Sequence, residues 1–402
     1  SFIWELSDRS FTLKSRILFL FSVLILLWTG LVLRAAYLQV LPNERLKAIH
    51  DRQFKTVISL NNRRGAIVDR KGRELALSVS AYSVYADPKI LENKKYVARK
   101  LSGLLGISAE NIYAKIKNRT KRFIWLSRQI NKEKAEQIKN YDFKGISVVE
   151  DFKRVYPNEN LLSHTLGMIG NEGQGLEGLE LQYNQQLQGN RKKISIKRDA
   201  RGRPLIVDGM MFAENPDGAE IKLTIDSEMQ HMLENELKTA VQEFEAQQAF
   251  GVILDAQTSA VLALVNTHQF DANQALSTSS DIRRNRLVTD AFEPGSTLKT
   301  FAIAGALKEK IVTPNKKYNT ENGSMRVADR VIHEAEASHA WNNLTVSEIL
   351  AYSSNIGTAK IAFEMGDHLL YRTLSEFGFG AKTGVDLPGE VKGSLQPLPW
   401  NQ

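Results

Sequence analysis

Residues 17–33 of this 402-residue chain contain no charged side chain, and no other feature limits the possible folds so sharply. A run of that length is at the lower limit for a helix crossing a bilayer, where each backbone N–H and C=O must be satisfied within the segment. Arg34 can snorkel its guanidinium toward water, so residues 35–40 extend the span. Arg9, Lys14 and Arg16 precede the run and only Arg34 lies close behind it, an asymmetry that leaves the N-terminal tail in the cytoplasm. The competing readings are a buried helix and a cleaved signal. Such signals have apolar regions of about 7–15 residues, and Arg34-Ala35-Ala36-Tyr37 is a poor cleavage site. The expectation is an uncleaved anchor over residues 17–37, with a tail over 1–16 and everything after Val40 outside the cytoplasm.

Composition agrees with this placement without deciding it. The chain has no cysteine, so neither disulfides nor thiol chemistry is available. Net charge is +8, with basic clusters at residues 115–122 and 191–198. Solvated surface accounts for both clusters, and contact with anionic lipid headgroups or another anionic polymer is the sharper alternative. Nucleic acid is not an expected partner, because the anchor puts these residues outside the cytoplasm. No metal site is expected: His333 and His339 are the nearest pair, and they are off the same-face spacing of helical ligands.

The candidate chemistry begins at Phe292-Glu293-Pro294-Gly295-Ser296-Thr297-Leu298-Lys299. Pro294 and Gly295 break the chain, and residues 301–307 are almost wholly apolar, which predicts a buried helix beginning at or next to Ser296. Residues three apart share a helical face, so the Lys299 amine can reach back to the Ser296 oxygen. Serine is a poor nucleophile until a base takes its proton, and lysine is such a base only where burial or a nearby cation lowers its pKa. Alone, the pattern is weak. About one Ser-x-x-Lys is expected by chance in a chain of this size, and a helix-capping serine followed by a surface lysine explains it too.

Tyr352-Ser353-Ser354-Asn355-Ile356-Gly357 changes that weighting. It places Ser353 and Asn355 between two helical patterns, 344–351 with Thr345 as cap and 358–365. Between two helices, both side chains can point into one cleft. The hydroxyl could shuttle a proton between lysine and leaving group, and the carboxamide could hold a substrate carbonyl. A second Ser-x-Asn, Ser59-Leu60-Asn61, lies near the anchor and reads as coincidence.

Ser-x-x-Lys, Ser-x-Asn and Lys-Thr-Gly together are the signature of penicillin-binding proteins and serine β-lactamases. The chain resembles a class B penicillin-binding protein, a peptidoglycan D,D-transpeptidase, and Glu293-Pro294-Gly295-Ser296 with Ser353-Ser354-Asn355 looks most like the cell-division type. Arg64-Gly65-Ala66-Ile67-Val68-Asp69-Arg70 resembles the first motif box of the family's non-catalytic domain. Arg154-Val155-Tyr156-Pro157, His164-Thr165-Leu166-Gly167 and Gly175-Leu176-Glu177-Gly178-Leu179-Glu180 resemble later boxes. Thr224-Ile225-Asp226 with Gln230 resembles the entry into the transpeptidase domain.

The third element departs from the pattern. Lys382-Thr383-Gly384 follows Phe377-Gly378-Phe379-Gly380 and runs into Val385-Asp386-Leu387-Pro388-Gly389-Glu390. Glycines before it and Pro-Gly after it describe a loop, not an active-site strand. The stretch resembles a family segment that precedes the true triplet. The expectation is therefore a transpeptidase domain lacking its C-terminal part. Two alternating strands, 250–255 and 260–266, are expected, too few for the family's central sheet.

The expected class is α+β: one transmembrane helix (17–37), a juxtamembrane linker (38–60), an elongated pedestal (61–220) and a truncated penicillin-binding transpeptidase domain (221–402). Strands are expected at 123–127 and 146–149, and helices at 91–105, 108–117, 131–140 and 226–244. Met229, Met232, Leu233 and Leu237 form the apolar stripe of the last helix. The resemblance implies acyl transfer, with Ser296 attacking a D-Ala-D-Ala carbonyl, Lys299 as base, Ser353 as proton relay and Asn355 positioning the peptide. It implies no cofactor, β-lactams as acylating ligands, and a membrane-embedded glycan polymerase and other division proteins as partners. A β-lactam-sensing receptor, a D,D-carboxypeptidase, an inactive division scaffold and an elongation-type transpeptidase are the alternatives.

Overall fold

The computed structural model describes residues 2–40, 55–60, 62–118, 123–189, 192–198, 204–206, 217–336, 338 and 340–400, with backbone alone for 2–14, 38–40, 55–60, 192–198 and 204–206. The chain forms two compact units. One comprises Ser1–Leu60, Ala81–Asp151 and Arg191–Pro216, the other Asn61–Ser80, Phe152–Asn190 and Asp217–Gln402. These units do not divide the chain at residue 220. Much of the expected pedestal sequence, including its motif boxes, belongs with the C-terminal half. His339 and Asn61 lie outside the described residues.

The first unit begins with helix α1 (Phe2–Val40). Its stretch Ser15–Tyr37 has a mean hydropathy of 2.3 and none of it is buried. Among the described residues this is the one helix long and apolar enough to cross a membrane. Ser22 Oγ and Thr29 Oγ1 donate to the carbonyls of Leu18 and Ile25, each at 2.8 Å, so these polar groups are satisfied inside the helix. Strand β1 (Lys55–Leu60) follows. The chain then forms β2 (Ile67–Val68) and β3 (Glu74–Ala86), which belong to the second unit up to Ser80.

The core of the first unit is built by short amphipathic elements with defined starts. Helix α2 (Lys94–Leu105) buries Val97, Ala98 and Leu101. Helix α3 (Ala109–Ile116) starts where Ser108 Oγ accepts from Asn111 N at 3.3 Å, and buries Ile112 and Ile116 one turn apart. Strand β4 (Ile124–Ile130) leads to α4 (Lys132–Asn140), capped by Asn131 Oδ1 accepting from Lys134 N at 3.0 Å. The end of β3 pairs antiparallel with β4, Tyr82 opposite Ile130 and Ala86 opposite Ile124, and β5 (Ile146–Val155) also pairs with β3. Val84, Leu101, Ile112, Ile116, Leu126 and Ile138 fill the space between. Separately, β6 (Lys192–Arg198) runs antiparallel to β1, Lys197 opposite Lys55, with β7 (Pro204–Ile206) on its other edge.

In the second unit β2 pairs antiparallel with the start of β3 and parallel with β8 (Ile221–Lys222). Asp226 caps α5 (Ser227–Glu243), its Oδ1 accepting from Glu228 N at 3.1 Å. The expected apolar stripe of this helix is only half right. Met229 and Met232 are 39% and 66% exposed, while Gln230 and Glu234 are buried. Gln230 is tolerated there because it completes a strand edge: Nε2 donates to Leu264 O at 3.0 Å and Oε1 accepts from Leu264 N at 2.8 Å. Leu264 lies on β10 (Val261–Asn266), which among the described residues pairs with β9 (Phe250–Leu254) in a two-stranded antiparallel sheet.

The remaining elements surround helix α6 (Thr297–Lys308). Two short two-stranded sheets that the sequence did not announce follow it. In one, β11 (Lys317–Asn319) pairs with the later strand β14, and in the other β12 (Ser324–Val327) pairs with β13 (Arg330–His333). β14 (Asn343–Thr345) leads into α7 (Val346–Ala351), α8 (Asn355–Met365) and α9 (Asp367–Glu376). Ile303, Ala306, Leu344, Ile349 and Ile361 form their common core. Two glycines set the helix spacing: a Cβ on Gly305 would lie 2.4 Å from Thr373 Cγ2, and one on Gly357 would lie 2.5 Å from Ile349 Cγ1.

Candidate active site

Ser296 is the N-cap of α6, and its side chain is exposed. The turn that delivers it needs Gly295, whose φ of +58° lies in the left-handed region, and Thr297 Oγ1 closes it by donating to Pro294 O at 2.5 Å. One helical turn on, Lys299 is half-buried. Among the described residues its amine does not hydrogen-bond Ser296 Oγ. It donates to the Ser353 carbonyl at 2.5 Å, to Ser353 Oγ at 3.1 Å and to Asn355 Oδ1 at 2.6 Å. The structure thus joins the two halves of the sequence signature through the lysine, and it leaves the serine hydroxyl open to solvent.

Ser353 and Asn355 are held from behind. The capping box of α7, Thr345 with Glu348, fixes the start of that helix. At its far end Ser354 N donates to Ile349 O at 2.9 Å, and Ser353 takes a φ of +56°. That conformation costs a non-glycine residue on the order of 1–3 kcal/mol and persists only where neighbours over-determine it. Helix α8 starts earlier than the pattern at 358 suggested, which makes Asn355 its first residue. Asn355 Nδ2 donates to His333 O at 2.8 Å, which orients the carboxamide so that Oδ1 faces the lysine.

One residue of this assembly escaped the sequence reading. Glu334, at the end of β13 and 9% exposed, accepts from Ser354 Oγ and Asn355 N, both at 2.6 Å, and from Ile356 N at 3.4 Å. A carboxylate over the first turn of α8 meets the helix's free N–H groups and its positive end. No local motif surrounds Glu334, so nothing in the sequence marks it.

Burial lowers the pKa of Lys299 from its ordinary value, and the negative charge of Glu334 works in the opposite direction. A lysine so placed gives up its proton more readily than a solvated one, as a base for serine must. Tyr352, which precedes Ser353 in the chain, stacks on Trp341 with ring centroids 5.1 Å apart. Lys382 is not part of this arrangement. It is exposed in a segment outside any strand, where Thr383 N and Oγ1 donate to Glu390 Oε1 at 2.7 and 2.5 Å and Gly384 has a φ of +82°. Among the described residues no cluster of His, Asp or Glu is arranged to hold a metal ion.

Comparison with known proteins agrees with these features. Residues 249–402 match the penicillin-binding protein transpeptidase domain, and residues 59–223 match the penicillin-binding protein dimerisation domain. The chain is 33% identical over 397 residues to the probable peptidoglycan D,D-transpeptidase PenA of Neisseria meningitidis, covering 98% of this chain and 67% of the relative. It is 32% identical over 367 residues to the peptidoglycan D,D-transpeptidase FtsI of Escherichia coli, covering 90% of this chain and 61% of that one. A crystal structure of a peptidoglycan synthetase from Bifidobacterium adolescentis superposes with a TM-score of 0.63 at 26% identity, over 85% of this chain and 67% of the other. The chain belongs to the class B penicillin-binding proteins, the peptidoglycan D,D-transpeptidases.

Proposed function

We propose that this protein crosslinks peptidoglycan stem peptides through an acyl-enzyme on Ser296, during septal wall synthesis. The observation that carries the reading is the Lys299 amine, half-buried and bonded at once to Ser353 and Asn355. Ser296 Oγ attacks the carbonyl of the penultimate D-alanine, and the amide C–N bond breaks. The serine proton passes to the Lys299 amine and then, by way of Ser353, to the departing D-alanine. Asn355 orients the peptide, and the Ser296 N–H supplies one donor to the developing oxyanion. An amine of a second stem peptide then attacks the ester, the C–O bond breaks, and Ser296 regains its proton. A β-lactam enters the same first step by opening its ring on Ser296.

In this reading α1 is a single-pass anchor in the cytoplasmic membrane, with the bulk of the chain extracytoplasmic. The likeness to FtsI favours the septum and division partners that include a glycan polymerase, while the likeness to PenA is as close and carries no division label. Septal against lateral-wall localisation separates the division role from an elongation role.

Intact-protein mass after incubation with a penicillin tests the chemistry. One covalent adduct is expected on the protein and none on Ser296→Ala. Absence of the adduct from the unmutated chain would overturn the catalytic reading and favour a scaffold that binds partners without acylation.

A further inference from the structure

Four groups in the site are explained by the acyl-transfer reading, and a fifth is not. Glu334 touches neither Ser296 nor the Lys299 amine, yet its carboxylate is buried and accepts three hydrogen bonds, from Ser354, Asn355 and Ile356 at the start of α8. Burying a carboxylate costs several kcal/mol unless its oxygens are well met. Here they are met by the start of α8. The preceding residue, His333, supplies the carbonyl that orients Asn355 Nδ2. One hairpin end therefore fixes both the backbone and the side chain of Asn355.

Resting on the function proposed above, we infer that Glu334 is a positioning residue: it clamps the start of α8 and so holds Ser353 and Asn355 against Lys299. Ser353 keeps its left-handed backbone because the next residue is tied to Glu334 on one side and to Ile349 O on the other. The negative charge of Glu334 also favours the protonated Lys299 amine, against the burial that lowers its pKa. Charged side chains on α8 and α9, which pack against α6, are engaged elsewhere: Lys360 with Glu321, Glu364 with Lys316, Glu376 with Lys308 and Arg372 with Glu309. On α7, Glu348 is held in its capping box, and His333 itself is exposed.

The test is competitive labelling of the lysine amines with acetic anhydride across pH, read peptide by peptide by mass spectrometry, on the full chain and on Glu334→Gln and Glu334→Asp. Glu334→Gln should move the Lys299 midpoint down, because a neighbouring negative charge is lost, with the other lysines unmoved. Glu334→Asp should hold the midpoint, because the charge remains. In parallel, penicillin acylation of Glu334→Gln should lose about tenfold or more on its plateau, with the acid limb moving by the same interval as the midpoint.

An unmoved Lys299 midpoint in Glu334→Gln would overturn the role of the charge, and an unchanged plateau would overturn the clamp. A loss at every pH with no movement of the limb, accompanied by a lower melting temperature, would reduce Glu334 to a fold-stabilising group. Should Glu334→Gln fail to fold, Ser354→Ala removes one of the carboxylate's bonds and keeps its charge: a slower plateau with an unmoved limb supports the clamp, and an unaltered rate refutes it. If the unmutated chain is not acylated at all, the transpeptidase reading fails by itself, and the lysine titration still decides the part played by Glu334.

Discussion

Lys299 Nζ and Asn355 Oδ1 lie 2.6 Å apart, joined across 56 residues of sequence, with Ser353 Oγ on the same amine at 3.1 Å. The two halves of the signature are thus joined through one amine. The carboxamide that would orient a peptide also orients the base. Preorganisation of this kind removes reorganisation from the reaction step.

Asn355→Ala should therefore lose more than a substrate contact. It removes an acceptor from the lysine and the tie to His333 O. Penicillin acylation should slow by roughly 10²-fold, with a melting temperature within a few degrees of the parent, since the side chain is not a core residue. Rates followed with a fluorescent penicillin decide it. A rate close to that of the parent would mean that Ser353 alone holds the amine.

The lowered pKa of Lys299 gives a signed pH dependence. Burial depresses it below the ordinary 10.5, so the folded protein releases this proton at lower pH than the unfolded chain does. Acylation needs the neutral amine and should rise with pH up to the depressed value, then level off. Between that value and 10.5 the unfolded state binds more protons, so stability rises with pH across this window. Below the window the buried charge is a cost. Lys299→Met should then be more stable than the parent at pH 7, with an advantage that shrinks as pH climbs through the window. Urea denaturation at two pH values reads this directly, and an advantage that grows with pH would contradict it.

The sequence made visible whatever depends on neighbours along the chain. Helix starts at Ser108, Asn131, Asp226 and Thr345 were legible because a capping side chain serves N–H groups two or three residues on. Ser296 and Lys299 were legible for the same reason, one turn apart on one helix. The contacts that were missed depend on distant partners. Gln230 is buried because a strand thirty-four residues away has an edge to complete. Glu334 matters because the helix it serves begins twenty-one residues later, and neither end carries a periodic signal. The lysine's direction was a further surprise: helical spacing allows it to meet Ser296, and only the tertiary fold sends it to Ser353.

Arg64, Arg154 and Glu180 form a buried triad in the second unit, linking three of the motif boxes. Arg64 Nε donates to Glu180 Oε2 at 2.5 Å and Arg154 Nε to Oε1 at 2.7 Å, with Tyr156 OH on the same oxygen at 3.3 Å. Burial lowers the Arg64 pKa and pushes Tyr156 well above its usual value. Glu180→Ala would strand two guanidiniums away from water, a loss of about 3–5 kcal/mol. Urea unfolding should show a lower midpoint in this variant. A loss under about 1 kcal/mol would mean that water reaches the arginines once the carboxylate is gone.

Lys382 offers the sharpest check on how the signature was parsed. The triplet has the right letters, but its threonine is bound to Glu390, its glycine sits in the left-handed region, and its lysine is exposed in a loop. A lysine that binds a substrate carboxylate must project from a fixed surface into the cleft, and nothing in this loop joins Lys382 to Lys299, Ser353 or Asn355 among the described residues. Lys382→Ala should leave penicillin acylation within about twofold of the parent and the melting temperature nearly unmoved, as for other exposed substitutions. Thr383→Val, which removes the hydroxyl held by Glu390, should loosen the loop and again spare the rate. A tenfold or larger loss of acylation in Lys382→Ala would assign this triplet to the catalytic machinery after all, and the loop would then have to rearrange when substrate binds.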